Sequence, residues 1–534
     1  MRPFLNTANL VLTPLAPIHV GTGEDFEPTN YVIHDNMLHA FDLSRVRLSP
    51  ERRRELLQLA NEANLGRIHA FLRSNQAEFL SASHIHIPVS GGVSKKYLDS
   101  LGNAVQVESD GKTVFNRNSI QRAMFCAADG LPYLPGSGVK GAMRTAWIEA
   151  LHKNDSQSKP EGTRNREVAE WEASMLRGNF QTSPLRLLKL ADFMPDRPEI
   201  DRRIVFACNF KKQPVSFQGR RNIKGRGPVT RVEVILPGQY RAFRSEVVVL
   251  DPGKRVHPGM SPLRPHLADL ARYSNSYSLS RFEKEVSLIR ENGYGDENWL
   301  RRLEQLLADI RDRLQSNKAF LIRLGRYGGA ETKTIAALAQ ISIMGTSRIE
   351  SEATTFWLAA EQDDIKSGML PFGWALIEID PQEDCAFLRA WCEQERTGRP
   401  DMQMVREKMS KDREHTHAEE ADKAIADAEP QPAVVMEEQA EEQAELELAA
   451  MSPEERLLRE FCSKLKAHPR LRPSDAGALI LSECEAFLEQ TNNWSDAMKK
   501  QCAELLAPIL DEKNMFIGKK EKIFRAALRH LLGV

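Results

Sequence analysis

Apolar residues recur at helical spacing in several stretches of the chain. After Gly138, one face of the sequence collects seven apolar residues at i, i+3 and i+4 intervals: Val139, Ala142, Met143, Ala146, Trp147, Ala150 and Leu151. This spacing predicts an amphipathic helix. The same periodicity predicts helices over residues 51–80 and 299–313.

Short runs of β-branched and aromatic residues, bounded by Gly and Pro, alternate with these helices. They predict strands at 9–15, 31–33, 37–41, 204–210, 231–236, 246–250 and 374–379. Strands and helices are mixed without a regular strand–helix–strand rhythm. The pattern therefore favours an α+β fold over a doubly wound parallel sheet.

The length and the charge distribution divide the chain into regions. A chain of 534 residues is too long for one ordinary core, so we expect two or three domains. The formal net charge of −1 does not by itself indicate nucleic acid. The charge is uneven, however, because residues 202–255 carry 13 Lys and Arg against 3 Asp and Glu, whereas 416–447 carry 11 acids against one Lys.

The C-terminal part has a composition of its own. Residues 400–450 are rich in Glu, Ala and Gln and poor in aromatics, which predicts an acidic linker. Ser452 and Glu455 then form a capping box around a proline, which starts a helix. Further helices are predicted near residues 474 and 495 and over 521–532. We therefore expect a small all-α domain at 452–534.

The cysteines and the hydropathy indicate the compartment. The seven cysteines show no C-x-x-C pair and no zinc-ligand spacing, which is typical of reduced thiols in the cytosol. No apolar run approaches the length of a membrane span, and residues 1–15 lack a signal-peptide pattern. We expect a soluble, cytoplasmic protein with no membrane partner.

Residues 136–141 read G-S-G-V-K-G, which matches the G-x-G-x-x-G pattern. Two prolines precede it instead of a buried strand, and no acid follows at the distance of a ribose-binding residue, so a dinucleotide site is disfavoured. A phosphate loop of the Walker type also fails, because Lys140 precedes Gly141. Lys140 and Arg144 oppose the helix dipole, which suggests either a bound anion or two solvated cations.

Four segments together resemble the RAMP superfamily of CRISPR RNA-binding proteins. They read LTPLAPIHVGTGEDFEPTNYVI (12–33), YLPGSGVKGAMRTA (133–146), SPLRLLKLADF (183–193) and FLIRLGRYGGAETKT (320–334), followed by TTFWLAAE and LPFGWALIEI. The resemblance spans residues 8–380. The order of the segments is most similar to the subunits that cap the crRNA 3′ end in type III-A (Csm) effector complexes.

This resemblance implies an architecture and a set of partners. It implies two ferredoxin-like (RRM-related) halves, at 1–195 and 196–385. The implied partners are crRNA, the neighbouring RAMP backbone subunit, the small helical subunit and, indirectly, target RNA. It implies no cofactor. Alternatives are a RAMP endoribonuclease that processes precursor crRNA with His19 or His34, and a RAMP subunit of a Cmr-type complex.

The resemblance also implies where RNA contacts lie. The implied RNA-binding residues are His19, Gly21, Gly23, Gly136, Ser137, Gly138, Lys140, Gly141, Arg144, Arg220, Arg221, Lys224, Arg226, Arg323, Arg326, Gly328, Gly329 and Lys333. Glycines let the backbone approach phosphates, and the cations supply charge. Alternatives remain open: the late glycine segment as a plain hairpin turn, residues 220–226 as a solvated loop, and His19 as a strand histidine.

Histidines are the candidates for metal-free RNA cleavage, because the reaction needs a general acid and base. The candidates by type are His19, His34, His39, His84 and His86. Alternation with isoleucine predicts that His84 and His86 share one strand face, as a metal pair without a third ligand or as structural residues. Related backbone subunits cut with an Asp after the first strand, whereas the matching stretch here, 27–31, is neutral at that place although Asp25 and Glu27 lie close by. We therefore expect a non-catalytic protein without a bound metal.

Overall fold

The computed structural model describes residues 4–62, 65–100, 106–107, 113–114, 118–155, 160, 165–213, 215–217, 220–223, 226–251, 253, 259–343, 349–400, 404–405, 452–472, 479–517 and 519–532. The chain divides into two compact units, Met1–Arg413 and Glu414–Val534. The acidic linker predicted at 400–450 lies outside the described residues, apart from 400, 404 and 405.

Helices and strands alternate through the first unit, and the second unit is helical in its described residues. The strands are β1 Leu5–Pro14, β2 Gly21–Phe26, β3 Tyr31–His34, β4 Met37–Phe41, β5 Ser83–Pro88, β6 Gln106–Val107, β7 Thr113–Val114, β8 Ile120–Ala123, β9 Leu188–Leu190, β10 Met194–Pro195, β11 Arg202–Lys211, β12 Val215–Phe217, β13 Arg220–Ile223, β14 Arg226–Ile235, β15 Phe243–Leu250, β16 Ala319–Arg323, β17 Ile341–Ser342, β18 Ile349–Glu350, β19 Thr355–Ala360, β20 Leu370–Pro371 and β21 Trp374–Ile379. The helices are α1 Pro50–Asn61, α2 Leu65–Ser74, α3 Gln76–Ser81, α4 Gly91–Ser100, α5 Gly136–Asn154, α6 Asn165–Met175, α7 Leu267–Asn292, α8 Glu297–Asp309, α9 Arg311–Gln315, α10 Ala386–Arg396, α11 Pro453–Ala467, α12 Leu479–Gln490, α13 Asp496–Glu512 and α14 Lys519–Leu532.

The first sheet has the strand order β10-β15-β1-β21-β16, and β9 also pairs with β15. All of these pairings are antiparallel. Leu10 and Leu12 alternate with Val11, so both point to the face that α5 and α7 cover, where they join a core with Val139 and Met143. The apolar stripe predicted after Gly138 is therefore the buried face of α5.

The second sheet has the order β2-β8-β14-β11-β19-β20, with only the β8–β14 pairing parallel among these strands. One face of β11 buries Phe206 and Cys208 in a core with Leu300 and Leu303 of α8. A third, three-stranded sheet, β3-β4-β5, packs against α1–α3. The strands predicted from alternation are confirmed, and so are the helical regions. The helix predicted at 299–313 is interrupted at Ile310, whose backbone leaves helical geometry (ψ 13°).

The N-terminal strand crosses the boundary expected between two halves at residue 195. β1 is hydrogen-bonded between β15 and β21, which both come from the region expected to form the second half. Residues on both sides of 195 also belong to one compact unit. The division into two ferredoxin-like halves stays a prediction.

The glycine-rich segment lies inside a helix and not in a loop ahead of one. α5 begins at Gly136, directly after Pro135, so Gly138 and Gly141 lie in its first two turns. This corrects the expectation of a glycine loop that precedes the helix. Gly136 itself is required by packing, because a Cβ there would lie 2.2 Å from the backbone oxygen of Ala191.

The second unit starts with the predicted capping box. The Ser452 hydroxyl accepts from the Glu455 N–H at 3.2 Å, and the Glu455 carboxylate accepts from the Ser452 N–H at 2.8 Å. Its four helices bury one apolar core, in which the rings of Phe461 and Phe487 stack with centroids 3.9 Å apart. This helical unit agrees with the all-α domain expected from the sequence.

The seven cysteines form no disulfide, and six of them are buried. Among the helices in the described ranges, none combines the length and apolar character that crossing a bilayer needs.

Candidate nucleic-acid interface

Two loops that are far apart in sequence meet beside the second sheet. The main-chain N–H of Arg326 donates to the carbonyl oxygen of His19 at 2.8 Å. Gly325 packs directly on the same carbonyl: its φ is +81°, and a Cβ would lie 2.2 Å from the His19 oxygen. Only glycine satisfies both conditions. The loop after β1 and the loop after β16 are therefore joined through their backbones.

The side chain of His19 lies inside this junction and not on its surface. The residue is fully buried, and its Nδ1 lies 2.7 Å from the carbonyl oxygen of Glu233. Because a carbonyl can only accept, Nδ1 carries the proton and Nε2 is an acceptor, which has no partner among the described residues. Burial lowers the pKa of His19, against the opposing effect of the Glu233 carbonyl. The imidazole is therefore a neutral support for the loop.

Tyr327 completes the contact between the two loops. Its hydroxyl donates to Oε1 of Gln121 on β8 at 2.6 Å. Its ring lies 5.7 Å from the His19 ring and 4.9 Å from the Trp357 ring, measured between centroids. Gly21, Gly23 and Arg326 are exposed at this position. We call these three residues the junction surface.

The late glycine segment contains cations in opposite environments. Arg323 is buried, and its guanidinium donates to Glu285 Oε1 at 2.6 Å and to the Phe372 carbonyl at 2.8 Å. The prediction that Arg323 contacts RNA does not fit this placement, because its charge is already engaged inside the protein. Arg326 and Lys333 are exposed.

Gly328 and Gly329 lie in a turn that is closed from within. Their carbonyl oxygens both accept from the Thr332 hydroxyl, at 3.1 and 3.0 Å. Gly329 has a φ of +79°, a conformation that favours glycine. The turn therefore explains one of these glycines without any ligand.

The start of α5 differs from glycine to glycine. A Cβ on Gly138 or Gly141 would meet nothing within 4 Å, and neither residue has a positive φ. Nothing in the described fold requires glycine there, although glycine destabilises a helix interior. Both are exposed, as is Ser137, so the backbone of the first two turns is open to a ligand.

The two cations predicted to bind phosphate at α5 already have partners within the protein. The Lys140 ammonium donates to the Leu188 carbonyl at 2.7 Å, and Arg144 pairs with Glu172 at 2.8 Å. The Asp192 carboxylate accepts from the Gly136 N–H at 2.8 Å, which places an acid at the positive end of the helix. Phosphate binding by the helix end alone is therefore disfavoured.

Two cations that the site prediction missed lie beside Lys140. Arg186 and Lys189 are exposed, on the segment that leads into and along β9. Burial lowers the pKa of Lys140, and the positive charges of Lys189 and Arg186 lower it further, so the three groups are close together. We call Lys140, Arg186 and Lys189 the basic cluster. Their signal was present in SPLRLLKLADF, which has no acid before Asp192.

The basic stretch at 220–226 is a β-hairpin where it is described, not the loop that was expected. Val215 pairs with Ile223, and Phe217 pairs with Arg220. Arg220 and Arg221 lie in β13, and Arg226 begins β14. Lys224 lies outside the described residues. The alternating apolar residues Val215, Phe217 and Ile223 account for the strands.

The predicted alternation of His84 and His86 is wrong. Phe41 pairs with Ser83 but Ala40 pairs with Ile85, so His84 forms a bulge that shifts the parity of β5. His84 is exposed, whereas His86 is buried with its Nδ1 3.2 Å from that of His39. In the described part of the chain, no group of three or more His, Cys, Asp or Glu side chains is arranged to hold a metal ion.

A family comparison decides the relationship of the chain to known proteins. Residues 11–333 match the model of the RAMP superfamily, which is more than half of the chain. The chain belongs to the RAMP superfamily. This confirms the resemblance read from the sequence, and the matched range of the RAMP protein contains the junction surface, the start of α5 and the basic cluster.

Individual relatives are more distant from this RAMP protein. The CRISPR system Cms protein Csm5 of Streptococcus thermophilus is 27% identical over 165 residues, which are 30% of this chain and only 42% of that relative's length. A cryo-EM structure of a Csm–crRNA–target RNA ternary complex in a type III-A CRISPR-Cas system matches a chain with 16% identity and a TM-score of 0.41, covering 70% of this chain and 100% of that one. A crystal structure of T. onnurineus Csm5 matches with 16% identity and a TM-score of 0.39, covering 68% of this chain and 99% of that one.

Proposed function

We propose that this protein is a structural RNA-binding subunit of a type III-A CRISPR effector complex. In this role it caps the stack of RAMP backbone subunits at the crRNA 3′ end and supports guide maturation and antiviral defence. Its partners are crRNA, the neighbouring backbone subunit, the small helical subunit and, indirectly, target RNA. RAMP membership and the partial similarity to a Csm5 protein support this assignment.

The observation that carries the proposal is the open backbone at Gly138 and Gly141 beside the basic cluster. The fold does not require either glycine, and each leaves room for a ligand to approach the main chain. Arg186 and Lys189 supply exposed positive charge at the same place. An accessible backbone beside clustered cations suits a phosphodiester chain, whose contacts position the RNA without reading its bases. The junction surface and Lys333 offer a second contact region.

The proposed role is non-catalytic. His19, the candidate acid or base of the endoribonuclease alternative, is buried and neutral, so it is unsuited to proton transfer at a 2′-OH. His34 is half exposed and lies 3.4 Å from Asp35. We also retain the proposal of two ferredoxin-like halves, in which β1 joins the sheet of the second.

Reconstitution tests this function. Type III-A subunits and crRNA are purified with and without this chain, and the crRNA 3′ ends are sequenced after nuclease treatment. The proposal predicts a protected 3′ segment that is lost when this chain is left out. An unchanged protected length would contradict capping, and metal-free cleavage of a repeat RNA that His34→Ala abolishes would support the endoribonuclease instead.

A further inference from the structure

Phe180 is the most exposed of the large apolar side chains that the structure describes. It is 89% exposed, in the short segment between α6 and the helical turn Pro184–Leu187. An aromatic ring gains nothing from such exposure in the isolated protein, because its apolar surface stays in water. The environment of the residue shows whether the exposure is incidental.

The turn that carries Phe180 is fixed by its own hydrogen bonds. The side-chain oxygen of Asn179 accepts from the main-chain N–H groups of Gln181 and Thr182, at 2.9 and 3.1 Å. The Thr182 hydroxyl in turn accepts from the Asn179 N–H at 3.0 Å. The Thr182 carbonyl accepts from the Ser261 N–H at 3.0 Å, which anchors the turn to the body.

The preceding residue closes the turn from the other side. A Cβ on Gly178 would lie 2.6 Å from the Thr182 carbonyl oxygen, so this position also constrains the loop. The ring is therefore presented on a pre-ordered turn, which reduces the entropy lost when a partner covers it.

The charge around Phe180 indicates the class of partner. Residues 173–191 contain Arg177, Arg186 and Lys189 and no acid. All three cations are exposed, and two of them belong to the basic cluster. An exposed aromatic ring among cations suits single-stranded nucleic acid, whose bases stack on aromatic faces while the phosphates meet the cations.

We propose that Phe180 stacks on an unpaired base of the bound RNA. The adjacent phosphates then lie along Arg177 and the basic cluster. The source of the RNA rests on the proposed function, but the stacking contact is a separate claim about one side chain. Because every base has a stacking face, this contact adds affinity without strong sequence preference.

The test measures the affinity of the full chain for a fluorescently labelled single-stranded RNA of mixed sequence at several salt concentrations. Phe180→Ala and Phe180→Leu should each weaken binding about 5- to 100-fold, the range of one stacked base, whereas Phe180→Tyr should retain near wild-type affinity. The slope of log Kd against log salt should stay unchanged, because no charge is removed. Phe387→Ala, at another exposed phenylalanine on α10, is the matched control and should bind like the wild type.

The outcomes separate the two claims. Equal affinity of the wild type and Phe180→Ala overturns the stacking contact and leaves the proposed function intact. Full affinity in Phe180→Leu also overturns it, because a generic apolar contact, such as one with a protein pocket, needs no ring. A wild-type chain that does not bind the RNA overturns the proposed function and the stacking contact together.

Discussion

The N–H of Arg326 donates a 2.8 Å hydrogen bond to the carbonyl of His19, so the loop after the first strand and a loop of the C-terminal sheet region form one structure. The buried imidazole of His19 and the positive φ of Gly325 maintain this contact from either side. The exposed part of this junction is glycine backbone and the Arg326 side chain. This arrangement separates residues that hold the surface from residues that form it.

Gly325→Ala should lower the stability of the first unit strongly. The left-handed backbone alone costs about 1–3 kcal/mol for a residue with a Cβ, and the 2.2 Å approach to the His19 oxygen adds a steric cost. Gly23→Ala is the matched control, since its φ is +87° but its Cβ would meet nothing within 4 Å. Urea unfolding of the full chain measures both. Equal losses in the two variants would contradict the packing of Gly325 on His19.

Arg323 and Arg326 should affect different properties. Arg323→Ala leaves Glu285 without its buried partner, and breaking such a pair costs about 3–5 kcal/mol of stability. Arg326→Ala should leave the midpoint of thermal unfolding almost unchanged and reduce the salt slope of RNA binding by about 0.7, the value for one phosphate contact. Thermal melts and a salt titration on both variants check this. A destabilised Arg326→Ala protein with a wild-type slope would place that residue in the scaffold.

The buried His19 should make stability depend on pH. Its folded-state pKa is lowered by burial, so the unfolded chain binds the proton more readily below the ordinary value of about 6.5. The free energy of unfolding should be fully retained above that pH and fall as pH is lowered toward the folded-state pKa, by up to about 1.4 kcal/mol per pH unit. In His19→Gln this part of the pH dependence should disappear.

His69 provides the comparison for this pH effect. Burial lowers its pKa as well, so the wild-type curve contains both contributions. Chemical unfolding between pH 5 and pH 8, about the range in which histidine titrates, distinguishes them in the two single variants. An unaltered pH profile in His19→Gln would mean that this histidine is not held neutral.

The glycines of α5 should show opposite effects on stability and on binding. Gly138→Ala/Gly141→Ala should stabilise the helix by about 0.5–1 kcal/mol per site, because Ala is favoured in helices and space is open at both positions. RNA affinity should fall, because the added methyl groups stand where the backbone meets phosphate. Gly136→Ala, which clashes with Ala191, should instead destabilise the protein. A double variant that gains stability and keeps full RNA affinity would contradict the backbone contact.

Local periodicity predicted most elements of the fold, because each strand or helix depends on neighbouring residues. Long-range pairing was not visible in it: the insertion of β1 between β15 and β21 and the pairing of Arg323 with Glu285 join distant segments. The parity of His84 and His86 failed because a single bulge residue leaves no pattern in the sequence.

The candidate site was predictable in its motifs but not in the role of each residue. Glycine spacing marked the start of α5, yet only the space around each Cα separates Gly136, which the packing needs, from Gly138, which it does not. Lys140 looked like a ligand for phosphate, but its ammonium donates to the Leu188 carbonyl, and the exposed charge belongs to Arg186 and Lys189.

The salt dependence of RNA affinity in Arg186→Ala/Lys189→Ala is the most direct test of the proposed interface. For single-stranded RNA, log Kd changes with log salt by about 0.7 per phosphate contact, so the slope should fall by about 1.4 relative to the wild type, for all RNA sequences alike. Arg52→Ala/Arg54→Ala on α1 removes the same charge from another exposed surface and should keep the wild-type slope. A wild-type slope in the Arg186→Ala/Lys189→Ala protein, or an equal fall in the α1 control, would contradict an RNA path across the basic cluster.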